Sequence, residues 1–124
     1  MPEKSIRILL VEDEKNIREN IATLLNMNDF DVRATASVQE ALLCLETFIP
    51  DIILCDIIMP GSYGYVLLET IKTMPGLSTI PLVFLTAKSE KFDFEKATSM
   101  GASAYLTKPF KFANLLLTIN EVLK

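Results

Sequence analysis

The chain has 124 residues, and none of them is a histidine. That absence excludes Ser-His-Asp and Cys-His catalysis, zinc sites that need a histidine ligand, and a phosphohistidine carried by this chain. Any chemistry must therefore use carboxylates, hydroxyls, lysine, the backbone or a bound cofactor.

Cysteine is also scarce. Cys44 and Cys55 are the only two in the sequence, and they do not have the spacing of a metal-binding motif. Both lie among apolar residues. We therefore predict that both are reduced and belong to the core.

Basic runs and long apolar segments are missing as well. The formal net charge is -4, and direct binding to nucleic acid usually relies on clustered lysine and arginine. The N-terminal residues 1–4 carry no apolar stretch of the signal-peptide type, and no segment approaches the length of a membrane span. We expect no direct nucleic-acid or membrane partner, and a cytoplasmic location by default.

The hydrophobic pattern that is present alternates between the period of a strand and that of a helix. Half of the residues are hydrophobic, and the length suits one domain over residues 1–124. Five strand-like segments are each followed by a segment of helical period; the strand-like segments are 6–11, 30–34, 52–55, 82–85 and 103–106. The pattern predicts an α/β fold, a doubly wound five-stranded parallel sheet with helices on both faces.

The strand-like segments differ in kind, which predicts their places in the sheet. The first, third and fourth are continuously apolar, so we place them in the centre, where both faces are buried. The second alternates and the fifth is short and mixed, so we place them at the edges. Among the helices, we expect the second to begin at a capping box at Ser37 and to end at Pro50. The fourth is expected to begin at Ser89 and to end at Gly101.

Polar side chains follow the strands at one end of this sheet. Glu12 and Asp13 come after the first strand, Asp56 after the third, Thr86 after the fourth and Lys108 after the fifth. Ligands of open α/β sheets bind beyond the carboxyl ends of the strands, so these groups are expected to converge.

Three carboxylates brought together repel one another, since two unit charges about 4 Å apart interact by roughly 4 kcal/mol at an effective dielectric constant near 20. Such a cluster must bind protons, pair with Lys108 or hold a cation. A hard cation such as magnesium needs only one or two carboxylates. The remaining carboxylate is then free to act as a nucleophile, as in aspartyl-phosphate chemistry, while the cation and Lys108 neutralise charge on the transferring phosphoryl group.

Four motifs follow one another along the chain, and they are Glu12-Asp13, Asp56-Ile57-Ile58-Met59-Pro60, Thr86-Ala87 and Tyr105-Leu106-Thr107-Lys108-Pro109-Phe110. Each motif is modest alone, but the four together are specific. In this order they resemble the receiver domains of bacterial response regulators, of the chemotaxis-regulator type, in two-component systems. The similarity covers essentially the whole chain and implies a flavodoxin-like strand order 2-1-3-4-5.

The resemblance implies a role for each residue of the acidic set. Asp56 would be the phosphoacceptor. Asp13, Asp56 and the backbone carbonyl of Ile58 would bind magnesium or manganese, and Glu12 would support the metal through water. These assignments follow from the resemblance rather than from spacing.

Further roles concern the phosphoryl group and the response to it. The resemblance implies that Thr86 and Lys108 contact the phosphoryl group, and that Tyr105 is an aromatic switch residue that turns inward when Thr86 moves. The output surface would be the fourth helix, fifth strand and fifth helix, and the peptide bond before Pro109 would be cis.

The implied partners are a histidine kinase or histidine phosphotransfer protein, which supplies the phosphoryl group, and a downstream effector protein or domain. Phosphorylation would shift a pre-existing equilibrium between two conformations of the output surface. The chain would be no enzyme beyond self-directed phosphoryl transfer and autodephosphorylation. Homodimerisation through the output surface is left open.

Three other functions fit the fold. A magnesium-dependent phosphatase usually has a second acid two residues after its nucleophilic aspartate, and Ile58 occupies that place. A flavin-binding electron carrier needs a hydroxyl- and glycine-rich loop after the first strand, where this chain has acidic residues. A degenerate receiver that serves only as an interaction scaffold is opposed by the complete acidic set.

Overall fold

A computed structural model describes residues 5–59, 62–87 and 94–124, and in these ranges strands and helices alternate as predicted. A two-residue antiparallel pairing of Ile58–Met59 with Ser62–Tyr63 precedes the third helix. The other elements are β1 (Arg7–Val11), α1 (Lys15–Met27), β2 (Asp31–Thr35), α2 (Val38–Cys44), β3 (Ile52–Asp56), α3 (Gly64–Lys72), β4 (Leu82–Ala87), α4 (Phe94–Ser99), β5 (Ala104–Lys108) and α5 (Phe112–Val122).

The five main strands form one parallel sheet in the order β2-β1-β3-β4-β5. The predicted strand order and the predicted edge positions of β2 and β5 are therefore confirmed. Every residue of β3 is buried, whereas residues of β2 and β5 are partly exposed. In the central strands the polar residues Arg7, Asp56 and Thr86 lie at or next to a strand end.

Two hydrophobic clusters cover the two faces of the sheet. In β1, Leu9 and Val11 face the cluster that α2 and α3 complete. Ile8 and Leu10 face the opposite cluster, which α1 and α5 complete. Side chains of a strand alternate between the faces of a sheet, so each central strand contributes to both clusters. The prediction of helices on both faces is confirmed.

The end of α2 differs from the prediction. The helix ends at Cys44 and not at Pro50, because the chain tightens into a turn in which the N–H groups of Glu46 and Thr47 donate to carbonyls three residues back. Phe48 therefore lies beyond the helix, although it is buried in the core.

The ring of Phe48 also lies between two arginine side chains. The guanidinium carbons of Arg7 and Arg33 are 4.5 Å and 4.7 Å from its centroid. Contacts of this kind attract a cation to the face of an aromatic ring. They tie the segment after α2 to the edge of the sheet.

The end of α4 agrees with the prediction, whereas its predicted beginning at Ser89 lies outside the described residues. The helix ends at Ser99. Two residues later Gly101 adopts a positive φ of 100°, and its N–H donates to the carbonyl of Thr98. Glycine adopts this conformation without the steric penalty of a side chain, which makes it a common helix terminator.

Both cysteines are free, as predicted, but only Cys55 is fully buried. Cys44 packs against the edge of the core and is partly exposed, so its predicted place inside the core is wrong. The early end of α2 leaves this residue at the last turn, where solvent reaches one side. Burial raises the pKa of the Cys55 thiol, and the nearby Asp56 charge raises it further; the thiol therefore stays protonated.

In the parts of the chain that the structure describes, no helix combines the length and the apolar character needed to cross a bilayer.

Candidate functional site

Three acidic side chains meet at the carboxyl ends of β1 and β3. One carboxylate oxygen from each of Glu12, Asp13 and Asp56 lies within 4.8 Å of the other two. The register explains the meeting, because Val11 at the end of β1 lies opposite Cys55 in β3. The next residues along both strands therefore share one level of the sheet. The predicted convergence of these carboxylates is confirmed.

The members of this acidic cluster differ in burial. Glu12 is 1% exposed and Asp56 is 5% exposed, while Asp13 lies closer to solvent. Burying a charged carboxylate is unfavourable unless a counter-charge or hydrogen bonds compensate. The two buried members therefore depend on their partners.

Lys108, the last residue of β5, supplies that counter-charge. Its Nζ lies 2.5 Å from Oε1 of Glu12 and 3.4 Å from Oδ2 of Asp56. The other oxygen of Glu12 accepts a hydrogen bond from the N–H of Glu14. Both oxygens of Glu12 are thus engaged within the protein, which suits a supporting role better than direct contact with a cation. The peptide bond between Lys108 and Pro109 is cis, as predicted.

The negative charge of Asp56 is less completely compensated than that of Glu12. Its Oδ1 accepts a hydrogen bond from the N–H of Ile57 at 2.8 Å. Burial raises the pKa of Asp56 to about 7, and the charge of Glu12 adds to the effect while Lys108 opposes it. One ammonium group therefore does not balance the acidic cluster.

Lys108 itself remains charged. Burial alone would lower the pKa of its ammonium group, but the hydrogen bond and charge of Glu12, together with the charge of Asp56, outweigh that effect and raise it. The cluster therefore keeps an excess of negative charge near neutral pH. A small hard cation prefers carboxylate oxygens and would remove this excess, so the residues present fit magnesium or manganese.

The remaining predicted site residues lie around this cluster. Thr86 is buried, and Leu85 before it lies opposite Asp56, so Thr86 is one residue further along the neighbouring strand. Ile58 belongs to the short pairing before α3, and the binding of a cation by its carbonyl stays a prediction.

Tyr105 lies in the edge strand β5, three residues before Lys108. It pairs with Phe84 in β4 and is 46% exposed. Together with Glu95, Thr98 and Ser99 it lines a groove of about 410 Å³ between α4 and β5. Its predicted switching stays a prediction, and its side chain lies outward in this structure.

Gly64, the first residue of α3, fits tightly under the acidic cluster. Its N–H donates to the carbonyl of Ile57, and a Cβ at this position would press on the backbone oxygen of Asp56, with Cys55 Sγ 3.0 Å away. We expect Gly64→Ala to lower the free energy of unfolding by about 1–3 kcal/mol, although alanine usually favours helices. Urea denaturation measures the change.

The matched control for this prediction is Glu69→Ala, an exposed position of the same helix. Its free energy of unfolding should stay within about 0.5 kcal/mol of the wild type. A Gly64→Ala protein as stable as the wild type would contradict the prediction, because it would mean that the backbone can move away at no cost.

One residue at the site was not predicted from the sequence. The guanidinium Nη1 of Arg18 in α1 donates to the backbone carbonyls of Glu12 and Asp13, at 2.9 Å and 3.1 Å. An arginine one turn into a helix resembles any solvent-facing arginine in the sequence. The only available signal is its distance of five residues from Asp13, which brings it back over the start of its own helix.

Comparisons with known proteins identify the family of this chain. The sequence model of the response regulator receiver domain matches residues 8–120. The chain is 38% identical over 114 residues to the transcriptional regulatory protein DltR of Streptococcus agalactiae, covering 92% of this chain and 50% of that protein. It is 36% identical over 118 residues to the phosphate regulon transcriptional regulatory protein PhoB of Escherichia coli, covering 95% and 52%.

Solved structures show the same fold. The chemotaxis response regulator CheY4 of Vibrio cholerae superposes with a TM-score of 0.89 at 26% identity, covering 97% of this chain and 100% of that one. A putative response regulator from Chloroflexus aurantiacus gives 0.87 at 31% identity, covering 97% and 98%. This chain spans about half the length of the two transcriptional regulators. By sequence model, sequence identity and fold, the chain belongs to the response regulator receiver domain family of two-component systems.

Proposed function

We propose that this chain is a phosphoacceptor switch whose Asp56 is phosphorylated in the presence of magnesium or manganese. The observation that carries the proposal is the meeting of three carboxylates with one lysine at the carboxyl ends of β1, β3 and β5. An arrangement with excess buried negative charge suits a divalent cation, and a cation bound there would offset charge on the transferring phosphoryl group.

Asp56 is the best nucleophile in the acidic cluster. Glu12 is held by Lys108 and by the N–H of Glu14, so its oxygens are already engaged. Asp56 Oδ1 accepts the N–H of Ile57, while Oδ2 lies only loosely paired with Lys108. Oδ2 is thus the freer oxygen and the proposed site of attack.

In the proposed step, a carboxylate oxygen of Asp56 forms a bond to phosphorus as the bond between phosphorus and the donor breaks. The electron pair of the broken bond stays with the donor, which is the imidazole of a phosphohistidine on a kinase or phosphotransfer protein, or acetate when acetyl phosphate is used. Lys108 stabilises the charge on the phosphoryl oxygens, and the Thr86 hydroxyl donates a hydrogen bond to one of them. Hydrolysis of the acyl phosphate returns the chain to its starting state.

Phosphorylation is proposed to bias the surface formed by α4, β5 and α5. The half-exposed Tyr105 and its groove lie on this surface, so an inward turn of the ring would change its shape and polarity. A downstream effector protein or domain would respond to that change. The two named relatives are transcriptional regulatory proteins, and an output of this kind is part of the proposal for this chain.

Incubation with acetyl phosphate and magnesium chloride, followed by intact-mass measurement, tests the proposal. We expect the wild type to gain the mass of one phosphoryl group, and Asp56→Asn to gain none because the nucleophile is absent. Asp51→Asn is the matched control, since Asp51 lies exposed just before the opposite end of β3, and it should be phosphorylated like the wild type. Chelation of the divalent cation should suppress the reaction.

Phosphorylation of Asp56→Asn at the wild-type rate would place the acceptor elsewhere. A wild type that is never phosphorylated would favour the degenerate receiver, an interaction scaffold without phosphoryl chemistry. Turnover of added phosphate esters without a stable phosphoprotein would favour the phosphatase instead.

A further inference from the structure

The guanidinium group of Arg18 binds the backbone of the acidic turn, by which we mean residues 12–14. Its Nη1 bridges the carbonyl oxygens of Glu12 and Asp13. Within the described ranges Arg18 forms no ion pair with a carboxylate. Its position is fixed from the helix side, because its own N–H donates to the carbonyl of Glu14 at 2.9 Å. The charge of Arg18 thus serves main-chain oxygens rather than a side chain.

These two hydrogen bonds act on both sides of Asp13. The carbonyl of Glu12 belongs to the peptide plane before Asp13, and the carbonyl of Asp13 belongs to the plane after it. Because each peptide unit is planar, holding both carbonyls limits both backbone dihedral angles of Asp13. Those angles set the direction of its Cα–Cβ bond and limit the rotamers that its carboxylate can adopt.

The Asp13 side chain depends on this backbone control more than its neighbours do. Glu12 is held by Lys108 and Glu14, and Asp56 is held by the N–H of Ile57. Among the described residues, none donates a hydrogen bond to the Asp13 carboxylate. Its partial exposure removes the constraint of dense packing as well.

We propose that Arg18 is a positioning residue for the divalent cation: it fixes the backbone on both sides of Asp13 and thereby directs that carboxylate towards Asp56. The inference rests on the proposed function, because it assigns a role in cation binding. Residues that orient metal ligands typically change metal affinity about 10-fold to 100-fold when they are replaced.

The positive charge of Arg18, considered alone, predicts that replacing Arg18 changes the cation affinity in the opposite direction. Arg18 is a cation close to the acidic turn, so its removal would strengthen the attraction for a second cation. A positioning role predicts weaker binding after the same change. The sign of the change in affinity therefore separates the two explanations.

Isothermal titration calorimetry with magnesium chloride tests the inference without any phosphoryl donor. We expect Arg18→Met to raise the dissociation constant about 10-fold, and Arg18→Lys to recover only part of the loss because lysine keeps the charge but lacks the planar guanidinium. Lys15→Met removes one positive charge from an exposed position of the same helix and should not weaken binding. Amide NMR spectra without metal should show shifts confined to the acidic turn in Arg18→Met.

Magnesium binding by Arg18→Met that equals or exceeds that of the wild type would overturn the positioning role and leave the proposed function intact. A wild type that shows no saturable binding would contradict the proposed function and this inference together. If Arg18→Met fails to fold, Arg18→Lys decides the question, since wild-type affinity in that variant would show that the planar guanidinium is not needed and would overturn the positioning role.

Discussion

In a buffer that contains a chelator, Asp56→Asn is expected to be more stable than the wild type at pH 8. Burial, with the Glu12 charge as the second cause, raises the pKa of Asp56 to about 7 from its ordinary value of 3.8. Above that pKa the folded wild type holds a buried charge that Lys108 does not fully compensate. Asparagine has the same shape and removes the charge, so we expect a gain on the order of 2 kcal/mol after allowance for solvent screening.

The sign of the pH dependence follows from proton binding. Between about pH 4 and pH 7 the folded state binds the Asp56 proton more tightly than the unfolded state, so the stability of the wild type falls as the pH rises through this window. Below this window Asp56 is protonated in both the folded and the unfolded state, so it no longer lowers the stability of the wild type. The difference between Asp56→Asn and the wild type should therefore shrink from pH 8 to pH 4.

Urea denaturation at several pH values measures this difference. Asp51→Asn, with its exposed carboxylate, is the matched control and should not be stabilised at pH 8. Added magnesium should stabilise the wild type more than Asp56→Asn, because a ligand that binds only the folded state raises its stability. Equal stability of Asp56→Asn and the wild type at pH 8 would show that the Asp56 charge is tolerated without cost.

Replacing Lys108 by methionine is expected to lower the free energy of unfolding at pH 7 by about 3 kcal/mol, because removal of one partner leaves a buried charge unpaired. Glu12 is 1% exposed and has its ammonium partner at 2.5 Å, so it loses its main compensation. Methionine keeps the length and packing of the lysine stem. The loss of stability should therefore arise from the missing charge of Lys108 and not from a change in side-chain volume.

Lys111→Met is the control, since Lys111 is exposed and lies three residues further along the chain. Its effect should stay within about 0.5 kcal/mol. The double variant Lys108→Met with Glu12→Gln should recover much of the lost stability, because it removes the charge that was left unpaired. Equal losses in both lysine variants, or no recovery in the double variant, would count against the ion pair as the cause.

The sequence predicted the sheet well for a physical reason. Continuously apolar segments are stable only where both faces are covered, so β1, β3 and β4 had to be central. The carboxyl ends of parallel strands then lie at one edge, which brings Asp13, Asp56 and Lys108 together whatever the details of packing. The acidic cluster was therefore predictable from strand ends alone.

Other features depend on tertiary contacts that no local pattern contains. The end of α2 was predicted from Pro50, but the helix ends at Cys44, where a turn carries Phe48 into the core and between two arginines. The pairing of Lys108 with Glu12 more closely than with Asp56 is likewise decided by side-chain packing. The positions of the strand ends predict which groups come together, but they do not predict which of these groups pair.

The ion pair between Glu12 and Lys108 joins residues 96 positions apart in the chain. Glu12 is therefore synthesised well before Lys108, and until β5 has been made the acidic residues lack this partner. The proposed phosphorylation site is therefore incomplete until β5 has been added next to β4. A chain that stops before β5 should therefore react poorly with phosphoryl donors, which would confine the proposed signalling to molecules in which β5 has been made.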